Sequence, residues 1–320
     1  MAQPATRDKA VPLCFLLDDT APVNLMVCHH PSYPHKLLIP NGMWEDLASF
    51  CREHGVRGKT SVLPCPSAIG RIDEGLWPLP EGHLERFLEI MREGLAPQID
   101  ITPELVTHYT VAREKGYGFL HEFEDEWVAR QDRATLAGYL AFALRILKKA
   151  GLRANGMTSP WSTGDRNEAV YAAAISDALW RVNRGKHAWY FLHIDVTSPC
   201  VRPQVTYRDP GTGRTVVSIP SACDDFLWNS MYCRTKKEGV AVAREALEQV
   251  LSRDGKRGRF VELFRGGGPI VFHSHAQSLF SNGTQAGLQV FQEMVRRVES
   301  IFGDGVRWIR ASDLAAEARA

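Results

Sequence analysis

Two rhythms of apolar residues alternate along this chain. Short runs with the look of buried strands ("LCFLLDD", "KTSVLP", "QIDIT", "HAWYFLHIDV", "PIVFHSH") alternate along most of the chain with stretches whose apolar residues recur every three or four positions. The second rhythm belongs to an amphipathic helix. It is clearest from Thr135 to Ala150, where Leu136, Tyr139, Leu140, Ala143, Leu144 and Leu147 share one face and Gly151 supplies a stop. The same spacing predicts helices over "MWEDLASFCREHG", "EGHLERFLEIMREGL", "NEAVYAAAISDALWRVN", "EGVAVAREALEQVLSR" and "GLQVFQEMVRRVESIFG". Short strands at "NGMTSP" and "VRWIRA" and a final helix capped by Ser312 complete the pattern. The stretch between "QIDIT" and Thr135 reads as irregular. "QVTYRDPGTGRTVVSI" reads as a β-hairpin, because Asp-Pro-Gly-Thr-Gly places turn residues between two β-branched runs.

Strands that alternate with helices imply parallel pairing with the helices outside. Six or seven such units without a Gly-rich dinucleotide fingerprint predict an α/β fold built as a closed or nearly closed TIM-like barrel, with the β-hairpin as an insertion. Residues 1–320 read as a single domain of this kind. In such barrels the site lies at the C-terminal ends of the strands.

Composition narrows the class. The chain has 320 residues, 44% hydrophobic and 23% charged, with a formal net charge of +1. No long basic run offers a nucleic-acid footprint. "MAQPATRDKAVPL" lacks the apolar segment of a signal peptide, and no apolar run reaches membrane-spanning length. Seven cysteines without C-x-x-C spacing read as reduced, mostly buried thiols, so a cytoplasmic enzyme is expected.

The chemistry-bearing residues collect at predicted strand ends. Asp18 and Asp19 close "CFLLDDT", two adjacent carboxylates that belong beside a buried apolar run only if something positive sits near them. Glu104 and His108 follow the third strand in "DITPELVTH", and His273 and His275 end a late one in "IVFHSHAQS". Imidazole and carboxylate ligands together suit Zn²⁺ or a similar divalent ion, and a carboxylate outside the ligand set suits a general base.

In these motifs the sequence resembles the polysaccharide deacetylase superfamily, the metal-dependent carbohydrate esterases built on a distorted (β/α)7 barrel. "LLDDT" is similar to the family's Asp-Asp strand end, with Thr20 where the family prefers Gly. The resemblance implies Asp18 as the catalytic base and Asp19 as a metal ligand. Glu104 and His108 have the spacing of the family's His-x-x-x-His pair, which makes one ligand a carboxylate. "TSPWSTG" echoes the Arg-x-Pro-aromatic motif through Pro160 and Trp161 but offers no Arg, and the resemblance places these two beside the substrate. "PIVFHSH" matches the strand ending in the His that assists the leaving group, so His273 and His275 both stand as candidates.

The implied function is a metal-dependent hydrolase that removes an acyl group from an N-acylated sugar or related amide, using zinc or, alternatively, nickel, cobalt or manganese. The implied partner is a carbohydrate or small acylated substrate, with neither nucleic acid nor membrane. Asp19, Glu104 and His108 would give the ion one more negative charge than an Asp-His-His set, which lowers its Lewis acidity and favours a harder ion. His121 in "LHEFEDEW" is an alternative ligand that would restore the family set, although that acidic segment also reads as a solvated loop. His29, His30 and His35 in "CHHPSYPHK" could line the mouth, Trp161 and Trp127 could stack on sugar faces, and "SLFSNGT" could orient a polar substrate. Two alternatives use the same barrel: a glycoside hydrolase in which Asp18 pairs with Glu104 or Glu124, and a carbohydrate-binding barrel without catalysis.

Overall fold

The computed structural model describes residues 10–30, 32–77, 79–114 and 118–320. The segment 1–9, which carries most of the stretch read above as lacking a signal peptide, lies outside them. The predicted strands are present as β1 (Val11–Thr20), β2 (Gly58–Val62), β3 (Ile99–Pro103), β4 (Met157–Thr158) and β5 (His187–Phe191). They continue as the hairpin β6 (Gln204–Asp209) and β7 (Arg214–Ser218), then β8 (Ile270–His275) and β9 (Val306–Trp308).

Parallel pairing dominates, as the alternation predicts. One sheet runs β8-β1-β2-β3, with β9 pairing to the start of β1; the other runs β6-β7-β5-β4. Only β6 is antiparallel within these sheets, so the hairpin gives β7 to the parallel set and leaves β6 at an edge. The two sheets meet through single parallel bridges, Glu104 to Thr158 on one side and Cys223 to Phe272 on the other. The expected closed barrel is therefore not a continuous ladder; the fold is a mixed α/β arrangement of parallel strands and many helices. The break beside β4 has a local cause. That strand is two residues long, and Pro160 just beyond it has no N–H to donate.

Strand periodicity sorts the side chains into two packed layers. From β1, Leu13, Phe15 and Leu17 join the large core between strands and helices. Cys14 and Leu16 instead join a second cluster with Trp189, Phe191, Val217 and Val271, completed by Leu314 and Ala315. Gly58 is required where β1 meets β2, because a Cβ there would lie 1.7 Å from the Phe15 carbonyl oxygen.

The helices follow the apolar stripes, with caps readable at residue level. Arg133–Lys149 begins at Asp132, whose carboxylate accepts from the Thr135 N–H at 2.8 Å, and Lys236–Val250 begins with a capping box of Thr235 and Glu238. The last helix spans Ala311–Arg319 with Arg310 at its N-cap. Ser312 is not the cap; its N–H donates to Asp100 at 2.7 Å. The stretch expected to be irregular holds an antiparallel pair, Thr110–Ala112 with Phe119–Phe123, and the short helix Glu124–Val128. All seven cysteines are free, and among the described residues no helix is long and apolar enough to cross a membrane.

Candidate metal centre

β1, β3 and β8 end at one rim, and eight of the residues singled out from the sequence line a single cavity of about 460 Å³ there: Asp18, Asp19, Glu104, His108, Pro160, Trp161, His273 and His275. At its floor, ligand atoms of Asp19, Glu104 and His108 lie within 4.8 Å of one another. His108 Nε2 is 3.2 Å from Asp19 Oδ1 and 3.7 Å from Glu104 Oε1. The second Glu104 oxygen accepts from the Asp19 N–H at 2.8 Å and from the Ser61 hydroxyl at 2.5 Å.

The electrostatics of this trio favour a cation. Burial and the neighbouring carboxylate charges raise the pKa of both Asp19 and Glu104. Burial lowers that of His108, leaving its imidazole neutral with a lone pair to give. Asp19 Oδ1 is buried and accepts no hydrogen bond. Two carboxylates and a neutral imidazole converge, with a buried acceptor unmet, so the donor set fits a divalent ion. Left-handed φ angles at Asp19 (61°) and His108 (59°) turn the two ligands into this position.

Asp18 stands beside the trio. Its carboxylate forms an ion pair with Lys59 on β2, whose ammonium also donates to Thr158 Oγ1 at 2.8 Å. Lys59 is fully buried and brings a positive charge up against Asp18 and Thr158 of "TSPWSTG". Sequence reasoning missed it; the one signal was a lysine inside a strand-like run.

Of the two late histidines, His275 is the better placed for proton transfer. Its Nδ1 is 2.8 Å from Asp225 Oδ2, and Asp225 also accepts from the His275 N–H, Ser278 and Ser274. Burial works against charge on His275, but the bond to Asp225 and its charge outweigh it, and the pKa rises to about 10. His273 is more deeply buried, its Nδ1 lies 3.1 Å from the Cys223 carbonyl, and burial lowers its pKa. Asp225 was also missed, although "SIPSACDD" shares with "CFLLDD" the pair of aspartates that follows a cysteine-containing, strand-like run.

Because the His275 pKa stands above its ordinary 6.5, this pair stabilises the fold fully below about that pH and loses the contribution as pH rises through about 10. Asp225, whose pKa is lowered, contributes above its ordinary 3.8 and loses the contribution as pH falls further. Asp225→Asn is expected to bring the His275 titration, followed by NMR in chelator-treated protein, from about 10 down toward 6.5. A His275 that still titrates near 10 in the variant would remove Asp225 as the cause.

Several expectations need correction. His121 is exposed and lies outside the ligand cluster, so it does not replace Glu104. The acidic segment around it is a strand and a helix rather than a solvated loop, and Glu124 within it is buried. Trp127 packs on Tyr139 at 4.9 Å instead of facing the cavity. In "SLFSNGT", Ser278 binds Asp225, while Asn282 binds the Lys36 N–H and the Pro34 carbonyl, and none of its residues lines the cavity. His29 and His30 do reach the mouth. His29 sits 5.0 Å from the His108 ring and 5.6 Å from that of Trp161, and burial lowers its pKa to about 3. Trp161 is half exposed there.

Its structural neighbours include CE4 family proteins. These belong to the polysaccharide deacetylase superfamily. A CE4 family pseudoenzyme from Bacillus anthracis matches with a TM-score of 0.42 and 6% identity, over 96% of this chain and 66% of that one. A mutant CE4 family pseudoenzyme with restored enzymatic activity matches at 0.41 and 8%, over 96% and 68%. A protein described as a putative cellobiose-phosphate cleavage protein, from Enterococcus faecalis, matches at 0.42 and 11%, over 96% and 99%. At these values the likeness carries no weight for this chain's chemistry. No family model matches the sequence, and no curated protein does.

Proposed function

We propose that this protein is a metal-dependent hydrolase that removes an acyl group from an N-acylated sugar or related amide. One observation carries the reading: the Asp19, Glu104 and His108 donors converge at the floor of a cavity that Asp18 and His275 also line. On this reading the two sheets and their bridges form a distorted (β/α)7 ring, and residues 1–320 form one domain. Seven unpaired cysteines suit a reducing, cytoplasmic setting.

Asp19, Glu104 and His108 would hold a divalent ion, zinc first and nickel, cobalt or manganese next, which would supply Lewis acidity for the scissile carbonyl and for water. Asp18, outside the ligand set, accepts the proton of the attacking water, and Lys59 holds its carboxylate in place. His275, protonated at neutral pH, donates to the leaving amine, with Asp225 fixing its ring. His273 stays in the wall as a neutral neighbour. Pro160 and the exposed Trp161 flank the substrate, where the indole offers a face to a sugar ring. The glycosidase alternative loses Glu124, whose oxygens are occupied by backbone N–H groups and the Tyr139 hydroxyl.

The test combines elemental analysis of protein purified without a histidine tag with an assay for acetate released from N-acetylated sugars. Near-stoichiometric divalent metal and metal-dependent acetate release are expected. New reducing ends in place of acetate would move the reading to glycoside hydrolysis, and failure to bind any divalent ion would end the metal reading.

A further inference from the structure

We propose that Glu124 is the positioning residue of the metal centre, holding the Glu104–His108 turn in the shape that presents both ligands. This rests on the metal reading above. The Glu124 carboxylate is buried directly behind that turn. One oxygen accepts from the Val106 and Thr107 N–H groups, each at 3.1 Å, and from the Tyr139 hydroxyl. The other accepts from the His108 N–H at 2.8 Å and from Thr107 at 3.3 Å. Three successive N–H groups thus converge on one side chain.

Such convergence needs a backbone that other residues seldom adopt. Leu105 and His108 both have positive φ, 44° and 59°, with no glycine in the turn. Strained turns persist where the surroundings over-determine them. A concave run of N–H groups attracts an anion, and here the chain supplies its own. Glu124 opens the short helix Glu124–Val128 and is tied by Tyr139 to the helix Arg133–Lys149. The short helix Glu124–Val128 therefore acts as a buttress for His108, and among the described residues it contributes no ligand to the cluster.

The test is Glu124→Gln, read by cobalt(II) titration. Gln keeps the volume but has one acceptor oxygen, and its NH₂ faces donors, so at least one turn N–H loses its partner. We expect cobalt affinity to fall at least about tenfold, the effect of removing support behind a ligand, with an unchanged far-UV spectrum. Thr235→Ala, which removes the remote helix cap, controls for lost stability and should leave cobalt affinity at the wild-type value. A folded Glu124→Gln protein with wild-type affinity would overturn the proposal. Should that variant not fold, hydrogen exchange of the Val106, Thr107 and His108 amides in metal-free wild type decides. Protection is expected, and exchange at unprotected rates would show that Glu124 does not hold the turn. If wild type binds no cobalt at all, the metal reading fails, while the exchange result still tells whether the clamp exists.

Discussion

Asp18→Asn is expected to lower the proposed acetate release by about 10³-fold while metal content stays at the wild-type level. The separation follows from geometry. Asp18 is absent from the trio whose ligand atoms lie within 4.8 Å, yet it lines the same cavity. Its carboxylate is bound by Lys59, and the Ser61 hydroxyl is 3.4 Å away. Asn preserves the shape and leaves an oxygen for the lysine, but it takes no proton, and loss of a positioned base costs roughly 10² to 10⁴ in rate. Metal content and turnover measured on the same folded sample separate the two roles. A variant with more than a tenth of wild-type turnover removes Asp18 as the base; one that loses the metal makes Asp18 part of the ligand shell.

Lys59→Met is expected to cost about 3–5 kcal/mol of folding stability, the range found when one partner is removed from a buried ion pair. Lys59 has no exposed surface, and its ammonium has three acceptors: Asp18, Thr158 at 2.8 Å and the Leu17 carbonyl at 3.4 Å. Met fills much of the volume and supplies no charge. Asp18 would then lie buried beside Asp19 and Glu104 with no lysine to offset them. Urea unfolding with and without a divalent ion checks this, and added metal should recover part of the loss in the variant. A cost below about 1 kcal/mol would mean that the pair does not matter to the fold.

Much of this was legible from spacing alone. The alternation of runs and stripes placed the parallel strands and main helices, and strand ends gathered Asp18, Asp19, Glu104, His108, His273 and His275 before any coordinates. What escaped were the partners. Lys59 meets Asp18 across 41 positions and Asp225 meets His275 across 50, and no local rhythm encodes such pairings. The choice between His273 and His275 depends on which one is hydrogen-bonded to a buried carboxylate, since His273 Nε2 lies 3.5 Å from the exposed Asp224 and His275 Nδ1 2.8 Å from the buried Asp225, a tertiary fact. Glu124 was misread for a similar reason. An acidic run looks solvated unless one knows that a turn behind it presents three N–H groups. Of the closed or nearly closed barrel, the parallel strands and helices are present but full closure is not, because β4, only two residues long, has the flanking signals of a strand without the length to pair fully.

The pairing of β1 has a consequence for biosynthesis. This strand carries both aspartates, yet two of its partners, Ile270–His275 and Val306–Trp308, are made some 250 or more residues later. On the ribosome, "LCFLL" must wait with one apolar edge open until those distant partners have emerged. Contacts so distant in sequence form slowly, and unpaired strand edges invite association with other chains. The nascent protein therefore needs chaperone protection at this strand, and the centre that holds the carboxylates is completed only after Ile270–His275 has been made.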